Sequence, residues 1–253
     1  MDVFQRQFAS IAAALSVAVI AIIGATAAAA PAAAQSPEQV KQAVERELRG
    51  DRALRRLEVS VAGDEVTLTG RVRHFWDKNE ALRRTFDVRG VGAVVSEIEV
   101  PVQEDQEELV EDVSRAIQRY PHYRIWDYID GRIDDGVVSI FGRVTPERDK
   151  AGELFERIAK VRGVQDVQMN VTPLSPSRAD DRLRASIGRR LFSSEHFQRF
   201  ASMTNPPFHI IVNNSVVTLI GYVQSQIEYI EMQRIVAQTQ GVLRVDNQIQ
   251  TIR

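Results

Sequence analysis

A seven-residue phrase is written three times in this 253-residue chain: VTLTGRV at 66–72, VSIFGRV at 138–144 and VTLIGYV at 217–223. Aligned on Gly70, Gly142 and Gly221, the copies bring a second landmark into register. Gly-Val recurs at Gly90, Gly163 and Gly241, at spacings of 20, 21 and 20 residues. Internal repetition constrains a fold before any composition does. The period of 72 to 79 residues is too long for a solenoid unit and long enough for a small domain with its own core.

The pieces of each copy follow from local chemistry. Ser36 as N-cap, Pro37 at N1 and Gln39 at N3 predict a helix start, with Val40, Ala43, Val44 and Leu48 at helical spacing behind it. Asp105 and Ser177 open the equivalent helices of the other copies, with stripes at Leu109, Val113, Ala116 and Ile117, and at Leu183, Ile187 and Leu191. Extended segments are expected over 57–62, 125–133 and 208–212. Tight turns follow at Gly63-Asp64, Asp135-Gly136 and Asn213-Asn214, residue types that accept positive φ. The repeated phrase is then a half-buried strand. A second helix fills the gap between the glycines, with a narrow stripe at Ala81 and Thr85, Leu154 and Ile158, Met232 and Val236. A closing strand alternates through Val94 and Ile98, Val167 and Val171, Val245 and Ile249.

The order is α-β-β-α-β three times. It predicts an α/β chain of the α+β kind: three tandem modules, each a three-stranded mixed sheet packed by two helices on one face. The boundaries fall at 35–104, 105–174 and 175–253, the last module carrying a longer insert. Gly90, Gly163 and Gly241 would sit at helix ends, where a left-handed residue is favoured. Residues 1–34 differ in kind. Residues 11–30 are almost all apolar, half of them alanine, and Ala32-Ala33-Ala34 fits signal-peptidase cleavage before Gln35. A cleaved signal and a periplasmic destination are expected; the alternative is an inner-membrane anchor over 11–34.

The paired landmarks resemble the BON domain, the family named for an osmotically inducible periplasmic protein and nodulation proteins. The resemblance is carried by Gly70 and Val72 with Gly90, Val91 and Val94, and by Gly142 and Val144 with Gly163, Val164 and Val167. The third copy carries it at Gly221 and Val223 with Gly241, Val242 and Val245. It spans nearly all of 36–253, and the third copy departs most, with Tyr222 where the others have arginine. It implies a non-enzymatic envelope protein that binds phospholipid or other apolar surfaces under osmotic or envelope stress, or serves a secretion channel. The shared glycines read as architecture.

Chemistry is sparse. Cysteine is absent, which excludes disulfides, thiolate metal sites and cysteine nucleophiles. The four histidines have no metal-site spacing, and no phosphate loop, dinucleotide fingerprint or nucleophile elbow occurs. Asp134-Asp135 reads as a solvated turn rather than an acid–base pair. No enzyme and no cofactor is expected, and a net charge of −2 gives no pull toward nucleic acid. Three aromatic–basic stretches remain as surface candidates: 73–78 with Trp76, 119–128 with Trp126, and 188–200 with Arg189, Arg190, Phe192, Phe197, Arg199 and Phe200. Arginine beside aromatics suits a lipid-headgroup boundary or a protein interface. Residues 35–104 hold 12 basic against 13 acidic residues, 105–174 hold 10 against 14, and 175–253 hold 9 against 6. The third module is therefore the candidate for an anionic phospholipid surface. The competing reading is a scaffold for envelope proteins, with homo-oligomers formed through sheet edges or aromatic patches.

Overall fold

Ser36 starts the first helix as its neighbours dictate. Its hydroxyl accepts the Gln39 N–H, the Gln39 side chain accepts the Ser36 N–H, and Pro37 occupies the first helical position. Asp105 and Ser177 cap the equivalent helices in the same way, accepting from Glu108 and Asp180. The computed structural model describes residues 36–203 and 205–252; the expected signal peptide and its anchor alternative lie outside the described residues.

Each module repeats one order. The first contains α1 (Pro37–Arg49), β1 (Glu58–Ala62), β2 (Glu65–Arg71), α2 (Phe75–Phe86) and β3 (Ala93–Glu99). The second contains α3 (Gln106–Gln118), β4 (Tyr128–Asp134), β5 (Val137–Val144), α4 (Lys150–Ala159) and β6 (Asp166–Pro173). The third contains α5 (Arg178–Phe192), β7 (Phe208–Asn213), β8 (Val216–Val223), α6 (Gln226–Ala237) and β9 (Arg244–Thr251). In every sheet the first two strands form an antiparallel hairpin, and the third pairs parallel to the second. The helix between second and third strands supplies the crossover a parallel pair requires. The fold class is as the repeat predicts: three small mixed sheets, each with two helices.

The helical stripes and alternate strand residues meet in one core per module. Val40, Val44 and Leu48 of α1 and Ala81 of α2 lie against Val66 and Leu68 of β2. The third module's core is the largest and draws Ile125 from the second module into it. Each fully buried aliphatic side chain contributes roughly 1.5–3 kcal/mol.

The paired glycines have two separate jobs. Gly221, at φ +114°, lets β8 bend where the hairpin begins; a Cβ there would lie 2.4 Å from the Pro207 carbonyl, which accepts the Tyr222 N–H. Gly241, at φ +99°, ends the turn that follows α6 and starts the return to β9. Gly70 and Gly142 share the first role, Gly90 and Gly163 the second, all at positive φ.

Two local expectations are corrected. The third turn is Asn214-Ser215 rather than Asn213-Asn214, because Asn213 still pairs with Val216. Buried Asp180 accepts both turn amides at 2.9 Å and holds them at φ +50° and +63°. The second module's first strand begins at Tyr128, not at residue 125. Ile125 is spent on the third module, where its carbonyl accepts the Ile210 N–H at 2.6 Å.

Candidate functional site

The aromatic candidates fall into three environments, and most are not surface. Phe197 and Phe200 are 0% and 4% exposed. They pack on Phe208 in the third core, with ring centroids 6.0 and 5.1 Å away. Neither can touch a membrane or partner. The insert folds back through a short 3-10 turn at Gln198–Phe200 and plugs the core with Phe197 and Phe200. Arg199 fastens that plug. It donates to the nearly buried Glu228 at 2.6 Å and to the His196 carbonyl, and its guanidinium lies 4.3 Å from the Phe200 ring. A partly exposed charge pair of this kind is a latch, and Arg199 is not free for a ligand.

The tryptophans are joints. Trp76 and Phe75 at the start of α2 meet Phe155 of α4 edge-on, at 6.1 and 6.3 Å, and Lys160 sits 5.2 Å from the Trp76 ring. That contact ties module one to module two. Trp126 packs on the third module's core across Gly188 of α5, where a Cβ would come within 3.3 Å of the indole. Phe192 lines the same junction. His209 of β7 completes it, 5.3 Å from the Tyr123 ring and 5.9 Å from Tyr128. Burial holds the His209 imidazole below the ordinary histidine range, against the opposing pull of nearby backbone groups and Asp127.

Composition gave no sign of the ion pair that positions this joint. Asp127 and Lys150 are both fully buried, 2.8 Å apart. The carboxylate also accepts from the Arg124 N–H at 2.9 Å, the Thr145 N–H at 2.7 Å and the Thr145 hydroxyl at 2.9 Å. Lys150 reaches Glu147 at 2.7 Å. Burial raises the Glu147 pKa, but hydrogen bonds from Lys150 and Thr145 outweigh it and bring the carboxyl to about 2. The residues lie 23 apart with no periodic relation, so no sequence signal could have paired them.

What stays exposed is charge on α5. Arg189 and Arg190 are on the surface, Arg190 donating to the Gln238 carbonyl at 2.7 Å. Arg178 and Arg182 are exposed too and were missed by sequence reading. The spacing 178, 182, 189 puts three arginines on one helical stripe ~16 Å long. Arg178, Arg182 and Arg189 make no ion pair with any described residue. Helical spacing behind the Ser177 cap was the available signal. By contrast, α3 offers Glu107, Glu108, Glu111 and Asp112 on its outer side. Among the described residues no group of three His, Asp or Glu side chains is placed to hold a metal ion, and no helix is long and apolar enough to cross a membrane.

The BON-domain model matches residues 36–101 and 179–253, more than half of the chain. This chain belongs to the BON family. The second module carries the BON order of elements without a match of its own. No curated protein matches the chain. Two solved structures of CdsD, a structural protein of the type III secretion system of Chlamydia trachomatis, are similar at 14% and 15% identity. They cover 84% and 83% of this chain and 96% and 91% of theirs, each with a TM-score of 0.24, which carries no functional argument.

Proposed function

We propose that this BON protein is a non-catalytic periplasmic binding protein that attaches to anionic phospholipid membrane and supports the envelope under osmotic stress. BON membership favours an envelope protein without catalysis. The observation that carries the membrane reading is the stripe of Arg178, Arg182 and Arg189 on the outer face of α5. Guanidinium groups in a row meet headgroup phosphates, and each positive charge near an anionic leaflet adds to binding. The buried face of α5 is anchored in the core by Leu183, Ile187 and Leu191, so the stripe is held rigid and outward.

Flotation with liposomes of zwitterionic lipid, with and without about one-third anionic lipid, tests the reading. Binding should require the anionic lipid. Each Arg→Glu change at 178, 182 or 189 should weaken it about fivefold or more, while Arg115→Glu on α3 should leave it unchanged. Binding that ignores all three changes overturns the assignment to α5. Absence of binding to any liposome overturns the lipid reading in favour of a protein scaffold.

A further inference from the structure

Strand β4 is an edge strand whose centre reads the same in apolarity from either end, while its two charges exchange sign. Around Gly131 the chain reads Ile129-Asp130-Gly131-Arg132-Ile133. The sheet order β4-β5-β6 leaves one long side of β4 without a strand neighbour. Which backbone groups face that side follows from the hairpin. Asp134 and Val137 flank a two-residue turn and so exchange hydrogen bonds across the hairpin. Counting back by twos, Ile133, Gly131 and Ile129 turn their N–H and C=O groups outward. The Gly131 N–H agrees: it donates to the Asp130 carboxylate at 2.8 Å rather than into the sheet.

We infer that β4 pairs antiparallel with β4 of a second copy of this chain, about a two-fold axis through Gly131. In that register Gly131 faces Gly131, and Ile129 faces Ile133 in both directions. Asp130 faces Arg132 of the second copy, and Arg132 faces its Asp130. With the Ile129 N–H turned to the Tyr123 hydroxyl, the remaining outward groups form about four backbone hydrogen bonds. The Asp–Arg pairs fall at non-hydrogen-bonded positions, where opposed side chains come closest. Arg132 is exposed and makes no ion pair with any described residue, so its charge is free for such a partner. Glycine at the centre is required by the hairpin itself, since a Cβ at Gly131 would lie 2.7 Å from Ile140 Cδ1 and 2.8 Å from the Ser139 carbonyl. The edge opens on a cleft of about 520 Å3 between Val110, Val113 and Ile117 of α3 and Asn205, Pro207 and His209 of the third module, with Val110 46% exposed.

No other edge strand has this pattern. β1, β3 and β6 carry acidic residues only, β7 is covered by Ile125, and β9, though it holds Arg244 and Asp246, has Val245 between them and Asn247 where β4 has Ile133. A closed, isologous pair also ends growth at two copies, where an unguarded edge invites open-ended aggregation.

The pairing rests on strand register and is independent of lipid binding. Sedimentation equilibrium of the full chain from about 1 to 300 μM brackets the affinity of a small interface. A monomer–dimer equilibrium is expected. Asp130→Arg alone or Arg132→Asp alone sets like charges opposite each other twice and should weaken the dimer about tenfold or more. The charge swap, Asp130→Arg with Arg132→Asp, restores both pairs and should restore the dimer. Circular dichroism confirms that each variant is folded. A monomer across the whole range, a dimer indifferent to the single reversals, or a swap that fails to rescue overturns the inference.

Discussion

Lys150→Met should be among the most damaging single changes in the molecule. Wild-type Lys150 and Asp127 are both 0% exposed, and the lysine supplies two of the contacts to the carboxylate, at 2.8 and 3.0 Å. Methionine fills the stem but removes the charge. Asp127 is then left as a buried anion with only the Arg124 N–H, the Thr145 N–H and the Thr145 hydroxyl to hold it. Breaking a buried pair from one side costs about 3–5 kcal/mol, whereas an intact pair gains little over an uncharged equivalent. Adding Asp127→Asn should therefore recover stability to within about 2 kcal/mol of wild type. The residue is the Arg124 N–H, which would face an amide nitrogen and lose its acceptor. Urea unfolding followed by circular dichroism measures both steps. Trp126 fluorescence in a Trp76→Phe background adds a local readout, because residues 121–127 carry that indole to Gly188. A loss below about 1 kcal/mol for Lys150→Met, or no recovery in the double variant, would refute the reasoning.

Two further outcomes follow from single positions. Gly221→Ala should cost about 2–4 kcal/mol, since its Cβ would strike the Pro207 carbonyl at 2.4 Å on top of a φ of +114°; Gly70→Ala, whose Cβ meets Leu57 Cδ2 at 3.2 Å, should cost about 1–2 kcal/mol. Urea unfolding ranks them, and the reverse order would sink the clash argument. His209 is held neutral by burial, so its folded pKa lies below the unfolded value near 6.5. The unfolded chain then binds the extra proton first, and the stability contributed by neutral His209 is full above pH 6.5 and declines as pH falls through that window. Glu147, with a folded pKa of about 2, stays ionised in the fold down to pH 5 and does not mask the effect. Between pH 7.5 and 5.0, His209→Gln should lose less stability than wild type; an equal loss would remove His209 as the cause.

The fold was legible because it is written in local, periodic signals repeated three times. Ser36, Asp105 and Ser177 cap helices through their own next turn, and Ala81 with Thr85 or Met232 with Val236 fall on one face by arithmetic alone. Where the reading slipped, a long-range contact had overridden the local signal. Residues 125–127 alternate like the start of a strand, yet Ile125 is worth more in the third core than at the edge of the second sheet. The third turn moved by one residue because Asp180, 34 positions earlier, accepts the Asn214 and Ser215 amides.

The candidate surface was less legible, for a reason visible in the residues themselves. Phe197, Phe200 and Trp126 sit beside arginines in sequence, and nothing local says which will face water. Modules of about 70 residues have little interior each, and the aromatics of these stretches are drawn into a core or into the seams between modules, while Phe86, Phe141 and Tyr222 stay outside. Both tryptophans went to seams, and both phenylalanines of the insert went to a core. Arginine is not drawn inward unless a carboxylate or carbonyl waits for it, as Glu228 does for Arg199 and the Val212 carbonyl does for Arg184. Arg178, Arg182 and Arg189 on α5 and Arg132 on β4 are among the charges without such partners, and each is held on a regular element facing outward. Under the proposed membrane reading, recognition is carried by charge laid out on a rigid helix, because Trp76, Trp126, Phe197 and Phe200 are taken up in seams and a core.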